Sequence, residues 1–421
     1  MARIQQWRLH DLGREKLTLS SRASRILLIL TLQVTLLAAF VLISLPTGPM
    51  CTPQFENASL RAVGGKLVNA ACQPVRLTGV NWFGMETDAF APHGLEVRNW
   101  QDMLDQIAHA GFNTIRFPFS NQFFDPTSVP KGINYQKNPD LKGLRGLALL
   151  DRLIQGAGQR GLKVILDRHR PTAQAQSELW YTDQISESRW IADWLMLARH
   201  YRGNSTVIGA DLHNEPHGPA TWGSGDLKTD WRLAAERAGN AILAVNPDWL
   251  IIVQGIEEYQ GDWYWWGGNL EGAAQFPVRL LYPDKLVYSI HDYGPEVYPQ
   301  SWFWDPWFPH NLPALWQRYW AYLPLEGQTV LVGEFGARSV GLDKEGIWLR
   351  SLVAFMQANG FSYTYWAWNP DSGDTGGLLK ADWTTLDQAK LQRLAASQSP
   401  PISLPLVTLP GRIAPGEPEA T

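Results

Sequence analysis

Two glutamates stand directly after apolar runs that have the composition of buried strands. Glu215 ends the run that begins at Val207, and Glu334 follows the run 329–333. Pro216 lacks the N–H that a sheet ladder needs, so the first of these strands must stop there. A carboxylate held at a strand end beside histidines and an amide is costly to bury without a purpose. Two such carboxylates can act as the general acid and the nucleophile that cleave a glycosidic bond.

Other polar or aromatic residues recur where the remaining strand candidates end. These residues are Arg116, His169, Asn214, His291, Tyr293 and Trp366. Each one alone could be a satisfied structural group, but strands that end at one mouth bring all of them together. Asn214 can hold a sugar 2-hydroxyl in the transition state. Tyr293 and Arg116 can keep a neighbouring carboxylate ionised by donating hydrogen bonds to it.

A binuclear metal hydrolase is the rival interpretation of these residues. Its ligands would be the two glutamates and four histidines: His169, His213, His217 and His291. Against it, the chain has no HExxH motif and lacks the clustered aspartates that such a site needs. We therefore expect no metal and no cofactor.

The elements that must position these residues alternate between two patterns. Short apolar runs predict eight strands, at 75–80, 113–117, 163–167, 207–213, 250–254, 286–291, 329–333 and 362–366. Amphipathic patterns predict helices at 98–110, 146–160, 186–201, 229–245, 313–322 and 343–360, and no long helix is evident in 255–285. This alternation predicts an α/β fold, a (β/α)8 TIM barrel over residues 65–397. A doubly wound open sheet is disfavoured, since no Gly-rich phosphate loop follows any strand.

The first 45 residues carry a membrane signal. Most of the charged residues in 1–25 are basic. Residues 26–45 form an apolar run without a charge, and a run of about 20 such residues is long enough to cross a bilayer as a helix. By the positive-inside rule, 1–25 stays cytoplasmic and the catalytic domain lies outside. We expect a single transmembrane anchor; the alternative is a cleaved signal sequence, which would make the protein secreted. A linker at 46–64 and a Pro-rich tail at 398–421 complete the chain. The tail is either a disordered segment or a strap without strands that lies on the barrel.

Composition limits the partners. The net charge of −4 gives no reason to expect nucleic acid, and we expect a monomer. The 21 tryptophans suggest flat platforms for sugar rings, and we expect Trp180, Trp265, Trp266 and Trp368 to line the cleft. Cys51 and Cys72 can form a bridge from the linker to the first hairpin if the domain is exported; two unrelated thiols are the alternative.

The chain resembles the retaining endoglucanases (cellulases) of glycoside hydrolase family 5, close to the secreted bacterial members. The matching stretches, spread over about residues 70–385, are 78–84, 113–118, 165–171, 211–217, 230–240, 264–269, 333–336 and 368–377. The resemblance implies a TIM barrel, Glu215 as acid/base, Glu334 as nucleophile and a sugar-binding shell made of the strand-end residues above. It implies no cofactor.

The chain departs from that pattern in three places. The loops at 86–90, 171–174 and 221–225 lack the cysteines of secreted relatives, and Glu96 stands where an aromatic platform is expected. The N-terminal anchor is unusual for an enzyme that attacks insoluble cellulose.

The expected activity is endo-hydrolysis of β-1,4-glucan. A β-mannanase or another β-glycan endohydrolase of the family remains an alternative. A catalytically silent glycan-binding protein on the cell surface is a further alternative, although such proteins usually lose one of the two carboxylates. Because both glutamates follow barrel strands immediately, we expect their carboxyl groups about 5–5.5 Å apart, the spacing of retaining enzymes.

Overall fold

The structure is a computed structural model, and it describes residues 51–52 and 59–402. The predicted cytoplasmic segment 1–25 and the predicted span 26–45 lie outside the described residues. So do much of the predicted linker and most of the predicted tail. Among the described residues, no helix has the length and apolar character needed to cross a membrane.

A small antiparallel sheet precedes the main fold. It consists of β1 (Arg61–Val63), β2 (Lys66–Val68) and β3 (Pro74–Val75). A disulfide joins Cys51 to Cys72 in the loop after β2, which confirms the predicted bridge. Because β1 already begins at Arg61, the predicted linker boundary at residue 64 is wrong by a few residues.

Eight parallel strands close into a barrel, which confirms the predicted TIM barrel. In chain order they are β4 (Thr78–Asn81), β5 (Thr114–Ser120), β6 (Lys163–Arg170), β7 (Val207–Asp211), β8 (Leu250–Gln254), β11 (Leu286–His291), β12 (Val330–Glu334) and β13 (Ser362–Tyr365). The last strand pairs with β4 and completes the ring. Nearly every strand residue is buried, because helices cover the outside and side chains fill the inside.

The helices between the strands follow the predicted pattern. They are Trp100–His109, Leu147–Gln159, Glu187–His200, Trp231–Val245, Leu312–Trp316 and Lys344–Asn359. Polar side chains cap several of them: Ser186, for example, accepts a hydrogen bond from the N–H of Arg189. In place of a helix, the segment 255–285 contains a short hairpin of β9 (Glu258–Tyr259) and β10 (Asp262–Trp263). The fifth predicted helix is shorter than expected, since a π-helical turn takes over at Gln317–Ala321.

One further helix, Gln388–Ala395, follows the last strand and was not predicted. After it, the chain crosses the N-terminal end of the barrel. Arg76 donates to the carbonyl of Ser397 (2.6 Å) and to Ser399 Oγ (2.9 Å), and Ile402 is buried in the lower core. Residues 398–402 therefore pack on the barrel as a strap, which is one of the two forms expected for the tail.

Candidate active site

Glu334 ends β12 at the mouth of the barrel, and both of its carboxylate oxygens are held. Arg116 Nη1 donates to Oε1 at 2.6 Å, and the Tyr293 hydroxyl donates to Oε2 at 2.6 Å. Burial and the charge of Glu334 raise the pKa of Tyr293 well above its usual value, so the phenol keeps its proton and remains a donor. These two donors hold the carboxyl group of Glu334 in one fixed orientation.

Arg116 is the buried centre of this site. Besides Glu334, its guanidinium contacts four other buried polar groups: Asp211 Oδ2 (2.9 Å), Asp167 Oδ1 (3.1 Å), Asn81 Oδ1 (2.9 Å) and Asn214 Oδ1 (2.8 Å). Burial alone would lower the pKa of Arg116, but the three surrounding carboxylates outweigh it and raise the pKa. The residue is thus a permanent, immobile cation.

Glu215 lies four residues beyond β7, with a left-handed backbone (φ 51°). Its Oε1 is 2.7 Å from His291 Nδ1, and its Oε2 accepts a hydrogen bond from Gln176 Nε2 at 2.7 Å. Burial raises the pKa of Glu215, and the Gln176 hydrogen bond opposes that rise. The two glutamates therefore occupy unequal environments, since Glu334 accepts a hydrogen bond from the cation Arg116 and Glu215 accepts one from the neutral amide of Gln176.

The two carboxyl groups are close neighbours. One oxygen from each glutamate and a ring nitrogen of His291 lie within 4.8 Å of one another. This proximity agrees with the spacing expected from their positions at the strand ends. It is typical of the short carboxyl separation, about 5–5.5 Å, that leaves no room for a water between nucleophile and sugar.

The two site histidines are neutral. Burial lowers the pKa of His169 to about 4 and that of His291 to about 3. His169 Nδ1 is 2.7 Å from Asp167 Oδ2, and its ring stacks on Trp366 with centroids 5.3 Å apart. The contacts with Asp167 and Trp366 fix the orientation of the His169 ring beside the two glutamates.

A cleft of about 670 Å³ opens above the glutamates. Its lining includes these predicted residues: His169, Glu215, Trp265, Trp266, Tyr293, Glu334 and Trp366. Arg116, Asn214 and His291 are buried beneath it and contact the glutamates or Arg116 from below. Asn214 Nδ2 and His291 Nε2 have no hydrogen-bond partner among the described residues.

Two predicted platforms are wrong. Trp180 is fully buried, because its loop folds back over helix Glu187–His200 and places the ring against Trp190 and Trp231. Trp368 is also fully buried and packs edge-on against Phe112. Neither ring reaches the cleft, so neither can stack on a sugar.

Several site residues were missed. Gln254 ends β8 and joins both sides of the site, since it accepts from the N–H of Glu215 (2.8 Å) and donates to Asp211 (3.0 Å). The strand-end pattern that identified its neighbours could have found it. Trp263 lies in the two-residue strand β10, and Gln176, Tyr298 and Gln300 lie in loops, where no sequence pattern marks them.

The positions of the histidines and carboxylates disfavour the alternative interpretation, a binuclear metal hydrolase. Two groups could offer metal ligands: Asp167 with His169 and Glu334, and Glu215 with His291 and Glu334. Glu334 belongs to both, and its oxygens already accept hydrogen bonds from Arg116 and Tyr293. His213 lies elsewhere, with Nδ1 2.7 Å from Arg168 Nη1, and His217 stacks on Trp266. A divalent ion bound to Glu334 would have to displace the buried guanidinium of Arg116. The site therefore fits catalysis by two carboxyl groups better than catalysis by a metal.

A family comparison agrees with this geometry. A family model described as Cellulase (glycosyl hydrolase family 5) matches residues 68–372. An endoglucanase of Paenibacillus polymyxa is 55% identical over 81% of this chain and 87% of its own length. The major extracellular endoglucanase of Xanthomonas campestris pv. campestris is 40% identical over 85% of this chain and 74% of its own length.

Solved structures give the same result. A hyperthermophilic endocellulase from the archaeon Pyrococcus horikoshii superposes with a TM-score of 0.77 at 43% identity, over 81% of this chain and 98% of that one. A variant of that endocellulase has been solved in complex with cellotetraose, with a TM-score of 0.76 at the same identity and coverage.

Proposed function

The chain belongs to the cellulase family, glycosyl hydrolase family 5, and from this premise we propose that it is a retaining endo-1,4-β-glucanase. The observation that carries the proposal is the pair of unequal glutamates, Glu215 and Glu334, at the floor of an aromatic cleft. An open cleft accepts the middle of a polymer, which suits endo-cleavage. The similar proteins named endoglucanase support β-1,4-glucan as the substrate.

In the first step, Glu334 attacks the anomeric carbon and the glycosidic C–O bond breaks. Glu215 gives its proton to the departing oxygen, and burial, which raises the pKa of Glu215, keeps that proton available. Arg116 and Tyr293 hold the attacking carboxylate fixed in position. The unpartnered Nδ2 of Asn214 is placed to donate to the sugar 2-hydroxyl.

In the second step, water attacks the anomeric carbon of the glycosyl-enzyme. Glu215, now ionised, takes the proton from that water, and the bond between sugar and Glu334 breaks with its electron pair returning to the carboxylate. Two inversions give overall retention of the β-configuration. Proton NMR of a fresh digest should show the β-anomer first, and an initial α-anomer would overturn Glu334 as nucleophile.

The direct test is Glu334→Gln. We expect loss of activity on carboxymethyl cellulose by at least about 10³-fold with the fold intact, since the change removes the nucleophile but keeps the side-chain shape. The matched control is Glu326→Gln, an exposed glutamate outside the cleft, which should retain full activity. Normal hydrolysis by Glu334→Gln would contradict the assignment of Glu334 as the nucleophile.

A panel of substrates decides between the related activities. We expect turnover of amorphous cellulose and mixed-linkage glucan to exceed that of mannan and xyloglucan. Preference for mannan would make the protein a β-mannanase. Binding without turnover of any glycan would make it a silent glycan-binding protein.

We further propose that residues 26–45 anchor the chain in a membrane, with the catalytic domain outside the cytoplasm, and that it acts as a monomer. The uncharged run itself supports the anchor, and the Cys51–Cys72 bridge supports an oxidising compartment. Fractionation of cells that express the full chain should recover it at full mass in membranes. A shorter chain in the medium would show a cleaved signal sequence instead. Light scattering of residues 51–421 tests the monomer.

A further inference from the structure

The loop after β11 holds the two most exposed tryptophans of the described residues. Trp304 is 63% exposed and Trp307 is 74% exposed, and neither belongs to the lining of the cleft. Large apolar rings left in water on a folded surface often mark a binding site. Two indoles three residues apart therefore need a ligand or another explanation.

The loop that carries these rings is held firmly. A 3₁₀ turn at Ser301–Trp304 buries Phe303, whose carbonyl accepts a hydrogen bond from Lys344 Nζ at 2.6 Å. Asp305 Oδ1 accepts from the backbone N–H of Trp307 at 2.7 Å. Because the backbone is fixed before any ligand arrives, binding on these rings would cost little ordering entropy.

One face of Trp304 is already occupied. Lys344 Nζ lies 3.6 Å from the centre of this ring. The ammonium group thus supports the indole from one side, and the ring remains 63% exposed. The contact fixes the plane of the ring, as a stacking platform requires.

The same loop is continuous with the wall of the cleft. Tyr298 and Gln300, just before the 3₁₀ turn, line the cleft. Trp302 packs behind two other lining residues, with its ring 5.4 Å from that of Tyr264 and 6.2 Å from that of Trp265. A chain that leaves the cleft over this wall meets the outer tryptophans next.

We propose that Trp304 and Trp307 form an outer glycan platform, on which a β-glucan chain stacks after it leaves the cleft. The inference rests on the proposed function, since it assumes that a polymeric glucan is the substrate. The flat C–H faces of glucose rings pack on indole faces, while the equatorial hydroxyls point outward. The exposed Asp305 between the two rings can accept hydrogen bonds from those hydroxyls.

A lipid surface is the competing occupant, because exposed tryptophans also favour membrane interfaces. Asp305 disfavours it, since a carboxylate between the two rings is repelled by an anionic bilayer and costly to bury in an apolar one. A neutral, hydroxyl-rich polymer carries neither penalty. Asp305 therefore favours glucan over a lipid surface, while the ammonium group of Lys344 is already engaged by the Trp304 ring and the carbonyl of Phe303.

The test compares Glu334→Gln with the triple variant Glu334→Gln/Trp304→Ala/Trp307→Ala, so that cellulose is not consumed. We expect the dissociation constant for swollen amorphous cellulose to rise about tenfold in the triple variant, the loss of a modest stacking anchor. We expect cellotetraose, which is much shorter than the polymer, to bind in the cleft alone, so its dissociation constant by calorimetry should not change. The control Tyr282→Ala removes an exposed aromatic ring beside the start of β11, at the opposite end of the barrel, and should leave adsorption unchanged.

Each outcome decides something different. Turnover of cellotetraose by the unmodified protein tests the proposed function by itself. Given that turnover, equal adsorption of the two variants would overturn the outer glycan platform. Loss of binding to phosphatidylcholine/phosphatidylglycerol vesicles in the triple variant, with cellulose adsorption unchanged, would overturn it in favour of a membrane contact.

Discussion

At the scale of single residues, burial and one hydrogen bond act in opposite directions on the pKa of Glu215. Burial raises the pKa of this carboxyl group, and the 2.7 Å hydrogen bond from Gln176 Nε2 opposes the rise by favouring the charged form. The general acid must be protonated in the free enzyme, so the balance between these effects sets the upper pH limit of the reaction.

Replacement of Gln176 by Leu should therefore shift that limit. Loss of the hydrogen bond raises the pKa of Glu215 further, so the alkaline limb of the pH profile of kcat/KM should move to higher pH while the acid limb stays in place. Gln174→Leu, an exposed glutamine of the same loop, is the control. A shift to lower pH would show that Gln176 does not stabilise the ionised glutamate.

Single residues also show which parts of an active site a sequence can predict. Glu215, Glu334 and Arg116 were predictable because a polar residue at the end of a buried strand has few other reasons to be there. Trp180 was not, since a tryptophan serves a core as well as a cleft and only the path of its loop decides which. Gln176 depends on a loop conformation that no periodicity encodes.

Among the elements, the N-terminal sheet depends on a covalent closure. Cys51 and Cys72 are 21 residues apart, and their bridge attaches the segment before β1 to the sheet β1–β3. Arg61, in β1, donates to the carbonyl of Thr52 at 2.9 Å beside the bridge. The bridge lies at the end of the barrel opposite the cleft, so it concerns stability and not chemistry.

The variant Cys51→Ser/Cys72→Ser should lose about 3 kcal/mol of unfolding free energy, because a loop of this size gains conformational freedom in the unfolded chain. Chemical denaturation would measure the loss, and kcat on cellotetraose at 25 °C should be unchanged. Each single variant should lose as much as the double variant. A large fall in kcat would show that the bridge influences the cleft.

The elements also show where sequence patterns stop being informative. The barrel strands were predictable because buried parallel strands are continuous apolar runs, and two of them, Leu250–Gln254 and Leu286–His291, match the prediction residue for residue. The strap 398–402 was expected only as one of two alternatives. Some of its contacts are made by backbone carbonyls, those of Gln398 with Arg76 and of Pro400 with Asn113, and such contacts leave no pattern in side-chain type.

For the molecule as a whole, stability should depend on pH through a buried acid. Asp292 accepts hydrogen bonds from the Tyr264 hydroxyl (2.5 Å) and from Trp348 Nε1 (2.9 Å), and burial raises its pKa to about 7. The folded protein thus keeps this proton up to about pH 7, whereas the unfolded chain releases it near pH 4. The stability that this difference supplies is present at low pH and is lost as the pH rises from about 4 to about 7.

Asp292→Asn removes this titration. The unfolding free energy of the parent minus that of the variant should fall between pH 4 and pH 8, by about 4 kcal/mol at most. Urea denaturation at several pH values would measure it, with Asp88→Asn, an exposed aspartate, as the control. A difference that stays constant or grows with pH would contradict the raised pKa.

The closed floor of the barrel has a consequence for how this scaffold can be combined with others. The sheet β1–β3 and the strap 398–402 line the same small cavity there, and Leu60 and Ile402 share one apolar cluster. Both described ends of the chain therefore join the barrel at the end away from the cleft. A second domain or a solid support joined directly at residue 51 or residue 402 is attached on the side that substrate does not use. The architecture is thus suited to modular fusion and to oriented immobilisation, with the mouth left clear for a long polymer.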